Sequence, residues 1–341
     1  MEAIMALAKK IVELGLSLGL SQVGIIRPGA MEGYGDRVRE RLAKTPEATF
    51  LEKLIGFSRV TEQHPWAKAI VVATMNYTRY KLPPGPPKHF GKSYLVDNRR
   101  NPQSPDAIRV KAFTAAMADL GLKVAHDEHP GVTGMRWAAM SAGLGQIRRN
   151  NFFYGQNGSF MAITAWLIDR ELEFLYETPQ KPCAESCRRC LNACPTGSLS
   201  APFTMDMTRC VSFLTTVNDD RVHDPQTRKA FGSWVYGCDA CQDACPHDKG
   251  QWDRGSEDFP NLSALAKRLS PLAIIRTPYA DVANFLAPKF FYLKPDYLWR
   301  WKYNALNALE NLGQIPEPND LRPLWSDEND QVRRLAHNLL G

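Results

Sequence analysis

All eight cysteines of the chain lie between Cys183 and Cys245, with none in the 182 residues before them and none in the 96 after. Thiolates act as nucleophiles, disulfide partners or soft metal ligands, and spacing selects among these roles. The first group reads Cys183-x3-Cys187-x2-Cys190-x3-Cys194-Pro195, a lone Cys210 follows, and the second group reads Cys238-x2-Cys241-x3-Cys245-Pro246. Short spacers let several thiolates converge from one loop, and the closing proline turns the chain away from what they hold. A disulfide framework belongs to an oxidising compartment. The opening of the chain is not expected to be an export signal, because Lys9, Lys10 and Glu13 interrupt an apolar pattern that a signal peptide keeps unbroken. A cytoplasmic location, with the thiolates holding metal, is therefore expected.

Two groups that each end in Cys-Pro point to two [4Fe-4S] clusters. In bacterial ferredoxin-like runs, three closely spaced cysteines wrap one cubane, while the cysteine before the proline reaches across to the other. That rule assigns Cys183, Cys187, Cys190 and Cys245 to one cluster and Cys194, Cys210, Cys238 and Cys241 to the second, with no cysteine left over. A pair of four-thiolate zinc sites also accommodates the CxxC spacings, although it gives no reason for the Cys-Pro endings. Paired clusters conduct single electrons, and a ferredoxin needs only about sixty residues. The long chain ahead of the cysteines must then hold a cofactor or substrate that receives those electrons.

The elements that position the cysteines can be read from periodicity. Ile4, Leu7, Ile11, Leu14 and Leu18 recur at helical spacing, and Val23 to Ile26 follows as a short strand. Residues 67–76 and 159–169 are apolar runs of the kind expected for strands buried on both faces. Ser104-Pro105-Asp106 is an N-cap signature for a helix ending near Leu120-Gly121, and another helix is expected from Val132 to Ala142. Helices are also expected from Leu298 to Leu312 and from Asp330 to Leu340, as a pair that caps the preceding structure. No recurring βα unit, Walker motif or dinucleotide glycine pattern occurs. The fold class expected is α+β.

Composition narrows the field without deciding it. The 341 residues, 44% of them hydrophobic, can bury a real core, which excludes a disordered chain. The longest apolar runs, near residues 67–75 and 160–168, are about half the ~20 residues a bilayer span requires, so no membrane role is expected. A net charge of +6 permits a nucleic-acid partner but does not demand one.

Residues 236–246, YGCDACQDACP, resemble the second cluster motif of the epoxyqueuosine reductase family, cobalamin-dependent iron–sulfur enzymes that complete queuosine in tRNA and share a core with reductive dehalogenases. Cys194-Pro195-Thr196-Gly197 and residues 210–215 match that family's CPTGA and CISYLT segments. Residues 14–26, 64–77 and 300–309 resemble its opening, its first buried strand and its late helix. The turn Ala142, Gly143, Leu144, Gly145, Gln146 and Ile147 is similar to its AGLGxIG turn.

The resemblance implies a nitroreductase-like cobalamin-binding α+β domain over residues 1–180, a ferredoxin-like two-cluster domain over 181–250 and a mostly helical region over 251–341. It also implies base-off cobalamin contacted by the residues of that turn and reduced to Co(I) by the two clusters. A low-potential ferredoxin or flavodoxin as electron donor, tRNA as substrate and a monomeric chain complete the expectation.

Three departures from the family pattern bear on chemistry. The first cluster loop carries one extra residue between Cys183 and Cys187. The family's AGLGWIGKN becomes AGLGQIRRN here, so that Gln146 stands for a tryptophan and Arg148 for a glycine. The family's acid lies in a D-S-x-P segment, whose nearest match is Asp127-Glu128-His129-Pro130, two residues farther from the turn than usual. Asp127 is the candidate proton donor, with Glu128 and His129 as alternatives. Arg99-Arg100, Arg148-Arg149 and Arg188-Arg189 are candidates for phosphate contact, and Tyr77 and Tyr80 for contact with a cofactor. A reductive-dehalogenase-like enzyme and a non-catalytic electron-transfer or corrinoid-handling protein are the alternative functions.

Overall fold

Side-chain alternation along the strands decides what each face of the sheet buries. The structure is a computed structural model describing residues 2–84, 86–96, 101–127, 131–177, 181–217, 220–290 and 292–339. Its strands are β1 (Gln22–Ile26), β2 (Ala69–Asn76), β3 (Val124–His126), β4 (Gln146–Ile147), β5 (Phe153–Tyr154) and β6 (Met161–Ile168). Strands β1, β2, β6 and β3 lie side by side in that order, each antiparallel to its neighbour, and β4 and β5 form a separate ribbon.

One face of the sheet buries Val23, Ile25, Val71, Ala73, Trp166 and Ile168 beneath the helices Glu2–Ser17 and Pro105–Asp119. The other buries Ile26, Ile70, Val72, Ala165 and Leu167 against the helix Met135–Ser141. Helices on both faces explain why β2 reads as an unbroken apolar run. Each buried aliphatic side chain contributes roughly 1.5–3 kcal/mol, so this layered body forms a rigid frame for the loops beyond it.

Local signals behave as the sequence suggests at Ser104, whose Oγ accepts from the Ala107 amide at 3.3 Å with Pro105 in the first turn. They differ at the next helix, which begins at Met135 instead of Val132. Gly131 takes a positive φ of 101°, and Thr133 donates its hydroxyl to the Phe57 carbonyl at 3.0 Å, so residues 131–134 form a turn fixed to another segment.

The helix Trp299–Asn311 packs on the cysteine-bearing segments rather than forming an array. Trp301 stacks on Tyr236 with ring centroids 5.2 Å apart, Arg300 donates to the Leu214 carbonyl at 2.6 Å, and Asn304 donates to the Thr215 and Val235 carbonyls at 3.0 and 2.9 Å. The helix Asp330–Asn338 closes its outer side. The architecture mixes helix and sheet, and no helix among the described residues is long and apolar enough to cross a membrane.

Candidate redox site

The eight thiols fall into two groups in space. Cys183, Cys187, Cys190 and Cys245 line a cavity of about 270 Å³, while Cys194, Cys210, Cys238 and Cys241 line a larger one of about 690 Å³. Cys190 lies on the one-turn helix Arg189–Asn192 and Cys241 on Ala240–Asp243, and these two turns pack together. Their contact brings residues some fifty positions apart into one neighbourhood.

Burial pushes the Cys190, Cys210, Cys238, Cys241 and Cys245 thiols above the usual range, and neighbouring thiols of the same set push Cys190 and Cys241 further. Several crowded, desolvated thiolates are stable only when cations lie among them. Four thiols line each cavity, as the two Cys-Pro-ended runs lead one to expect for a pair of iron–sulfur clusters.

Residues 146–150 bracket both sulfur sets. Gln146 Nε2 and Arg148 Nη2 donate to the Lys181 carbonyl at 3.0 and 2.9 Å, just ahead of Cys183, and Arg149 Nη1 donates to the Cys187 carbonyl at 3.0 Å. Asn150, buried and lining both cavities, donates to the Tyr154 hydroxyl at 2.8 Å and to the Cys241 carbonyl at 3.4 Å.

The turn expected to touch a cofactor has a different place. None of Ala142, Gly143, Leu144, Gly145, Gln146 or Ile147 lines the large cavity. A Cβ on Gly143 would lie 1.7 Å from the Tyr176 carbonyl oxygen, and one on Gly145 would lie 2.1 Å from that of Tyr154. Close backbone packing therefore accounts for the two glycines.

The large cavity lies between the sheet and the second sulfur set. Met75, Met161, Ile163, Met207 and Phe213 give it apolar walls, with Asn151, Ser159, Thr164, Ser212 and Gln242 among them. Asn151 Nδ2 is buried without a hydrogen-bond partner among the described residues. A large ligand with an apolar face and a fringe of amides fits such walls, as the corrin of cobalamin does.

Asp127 follows β3, is exposed and does not line this cavity, whereas Glu128 and His129 lie outside the described residues. Tyr77 lines the cavity; Tyr80 does not, its buried hydroxyl accepting from Arg109 Nη1 at 2.9 Å and donating to Asp106 at 3.2 Å. Arg188 and Arg189 are exposed, and Arg99-Arg100 lie outside the described residues.

His126 is a site residue that the sequence reading passes over. It lines the large cavity, stacks on Trp166 at 5.1 Å and donates from Nδ1 to the Ala165 carbonyl at 2.9 Å, leaving a buried Nε2 with no partner among the described residues. Its only sequence signal is its place one residue before the candidate acid, at the end of a short strand.

Residues 183–248 match the 4Fe-4S double cluster binding domain family. The chain is similar to the epoxyqueuosine reductase of Bacillus subtilis (strain 168), with 27% identity over 98% of this chain and 87% of that protein. It is also similar to that of Synechococcus sp. (strain CC9605), with 36% identity over 38% of this chain. That second alignment spans only 39% of the Synechococcus protein's length. In three dimensions it resembles an epoxyqueuosine reductase from Bacillus subtilis with TM-score 0.77 and 21% identity, over 98% of this chain and 90% of that one. It likewise resembles an epoxyqueuosine reductase with an epoxyqueuosine-modified tRNA-Tyr stem loop, with TM-score 0.75 and 20% identity, over 99% of this chain and 90% of that one.

Proposed function

We propose that this chain, a relative of the epoxyqueuosine reductases along nearly its whole length, is a cobalamin-dependent iron–sulfur reductase acting on epoxyqueuosine in tRNA or on another electrophilic substrate. The observation that carries the reading is a shared cavity: Cys194, Cys210, Cys238 and Cys241 line the same 690 Å³ space as Met75, His126, Met161 and Ile163 of the sheet domain. A cluster held by those thiols borders whatever the sheet domain binds. The other four thiols, in their separate basic cavity, hold the cluster that takes electrons from outside.

Base-off cobalamin is assigned to the large cavity, where it supplies two-electron reducing chemistry at cobalt, replenished one electron at a time. The chain's own residues have defined tasks there. Met75, Met161, Ile163 and Phe213 exclude water, and Asn151 and Gln242 offer donors to peripheral amides. His126 Nε2 is positioned to orient substrate or proton donor, and Asp127 is assigned as the donor. Residues 1–180 form the nitroreductase-like binding domain, 181–250 the two-cluster domain and 251–341 its helical buttress. A monomer in the cytoplasm, charged by a ferredoxin or flavodoxin, completes the reading.

The exposure of Asp127 favours one alternative, a corrinoid-handling or electron-transfer protein with no reaction of its own. The test of the main reading is cobalamin binding to the cluster-loaded chain under anaerobic conditions. A visible spectrum of base-off corrinoid supports it. Retention of flavin, or a corrinoid with dimethylbenzimidazole or histidine on cobalt, overturns it.

A further inference from the structure

The two sulfur sets lie in unlike electrostatic surroundings. The cavity of Cys183, Cys187, Cys190 and Cys245 is lined by Arg148, Arg149, Lys181, Arg189 and His247, with no carboxylate among the described residues that line it. The buried carboxylate of Asp239 lines the cavity of the other set. Among the basic residues of this cavity Arg148 alone is buried, at 4% exposed.

Its guanidinium is fixed from several sides. Nη1 lies 3.7 Å from Cys183 Sγ, Nη2 donates to the Lys181 carbonyl at 2.9 Å, and the guanidinium carbon sits 5.2 Å from the centre of the Tyr154 ring. The Arg148 charge acts on Cys245 as well, opposing the effect of Asp248. The same cation therefore bears on two of the four thiols, from the two ends of the cysteine run. The turn it belongs to resembles one with glycine at this position, so the charge is a property of this chain.

Resting on the cluster assignment above, we propose that Arg148 raises the reduction potential of the cluster held by Cys183, Cys187, Cys190 and Cys245, fitting it to accept electrons from an external carrier. In that step a one-electron carrier of the ferredoxin or flavodoxin class is oxidised by one electron, and the cluster passes from the 2+ to the 1+ state. No bond is made or broken and no proton moves. The reduced cluster holds one more negative charge, and a fixed cation screened from water stabilises that state more than the oxidised one.

The test is an EPR-monitored potentiometric titration of the anaerobically reconstituted full chain, its Arg148→Gly, Arg148→Gln and Arg148→Lys variants, and Cys183→Ser to identify the signal of this cluster. Both uncharged variants are expected to lower the reduced-to-oxidised ratio of that signal at least tenfold at the wild-type midpoint, which is about 59 mV for a one-electron couple. Arg148→Lys is expected to recover part of the shift, and the other cluster to stay where it was. Unmoved midpoints in variants that retain their iron overturn the proposal. If Arg148→Gly loses iron, the Gln and Lys variants decide. A wild-type chain that takes up no iron overturns the cluster assignment instead.

Discussion

Ser159 and Asp248 hold each other twice: the Ser159 amide donates to Asp248 Oδ1 and its hydroxyl to Oδ2, both at 2.6 Å, in a fully buried contact. Gln242 Nε2 adds a third bond, to Ser159 Oγ at 2.7 Å. Ser159 precedes β6 of the sheet and Asp248 closely follows Cys245, so this node fastens the second cysteine group to the sheet beside the large cavity. Asp248→Ala leaves a buried amide and hydroxyl unpaired, and hydrogen bonds to a charged group contribute about 1.5–3 kcal/mol each. The variant is expected to lose about 3 kcal/mol of stability in denaturant unfolding; a loss under about 1 kcal/mol contradicts the role.

Cys245 tests the crossing of ligands between the two groups. Cys245→Ser is expected to impair the cluster of Cys183, Cys187 and Cys190 and to spare the other, leaving one intact EPR signal where the wild type, with about eight irons per chain, gives two. Loss confined to the cluster of Cys194, Cys210, Cys238 and Cys241 contradicts the assignment.

The donor of the proton is tested by two variants. Asp127→Ala is expected to keep both clusters and bound corrinoid while lowering turnover by roughly 10²-fold, the usual worth of a general acid. His126→Phe preserves a flat ring against Trp166 but removes Nε2, and it is expected to raise KM or lower kcat without loss of iron. Full activity in both variants places the donor elsewhere.

His89 gives the fold a dependence on pH. Its ring is buried, Nδ1 donates to the Ser233 carbonyl at 3.0 Å, and its own carbonyl accepts from the Val235 amide at 2.8 Å, clamping the segment ahead of Cys238. Burial above all, and then Lys88, pushes its pKa below the ordinary 6.5. The unfolded chain therefore takes up a proton that the folded chain refuses. Stability from the neutral ring is full above pH 6.5 and is lost as pH falls below it. Urea midpoints at pH 7.5 and 5.5 are expected to differ more in the wild type than in His89→Gln; equal differences contradict this reading.

How far the sequence spoke depended on whether a signal was local. Ser104-Pro105 declared its helix because capping is settled within four residues, and the cysteine spacings declared two sulfur sets because loop ligands converge over short range. The placement of Gly143 and Gly145 was not legible, since what excludes a Cβ there is the backbone of Tyr176 and Tyr154, met only after folding. His126 was equally silent, because its free Nε2 depends on pairing opposite Trp166 across β3 and β6. Arg300 and Asn304, in a helix recognised by its apolar and aromatic spacing, are both fully buried and hold the carbonyls of Leu214, Thr215 and Val235, contacts that no local pattern shows.

The most direct test is turnover of epoxyqueuosine-containing tRNA by the anaerobic chain loaded with both clusters and cobalamin, supplied with a low-potential reductant and followed by mass spectrometry of the digested nucleosides. The account predicts that epoxyqueuosine is converted to queuosine only when clusters and cobalamin are both present. Unchanged epoxyqueuosine with both cofactors demonstrably bound, or conversion that proceeds without cobalamin, would contradict it.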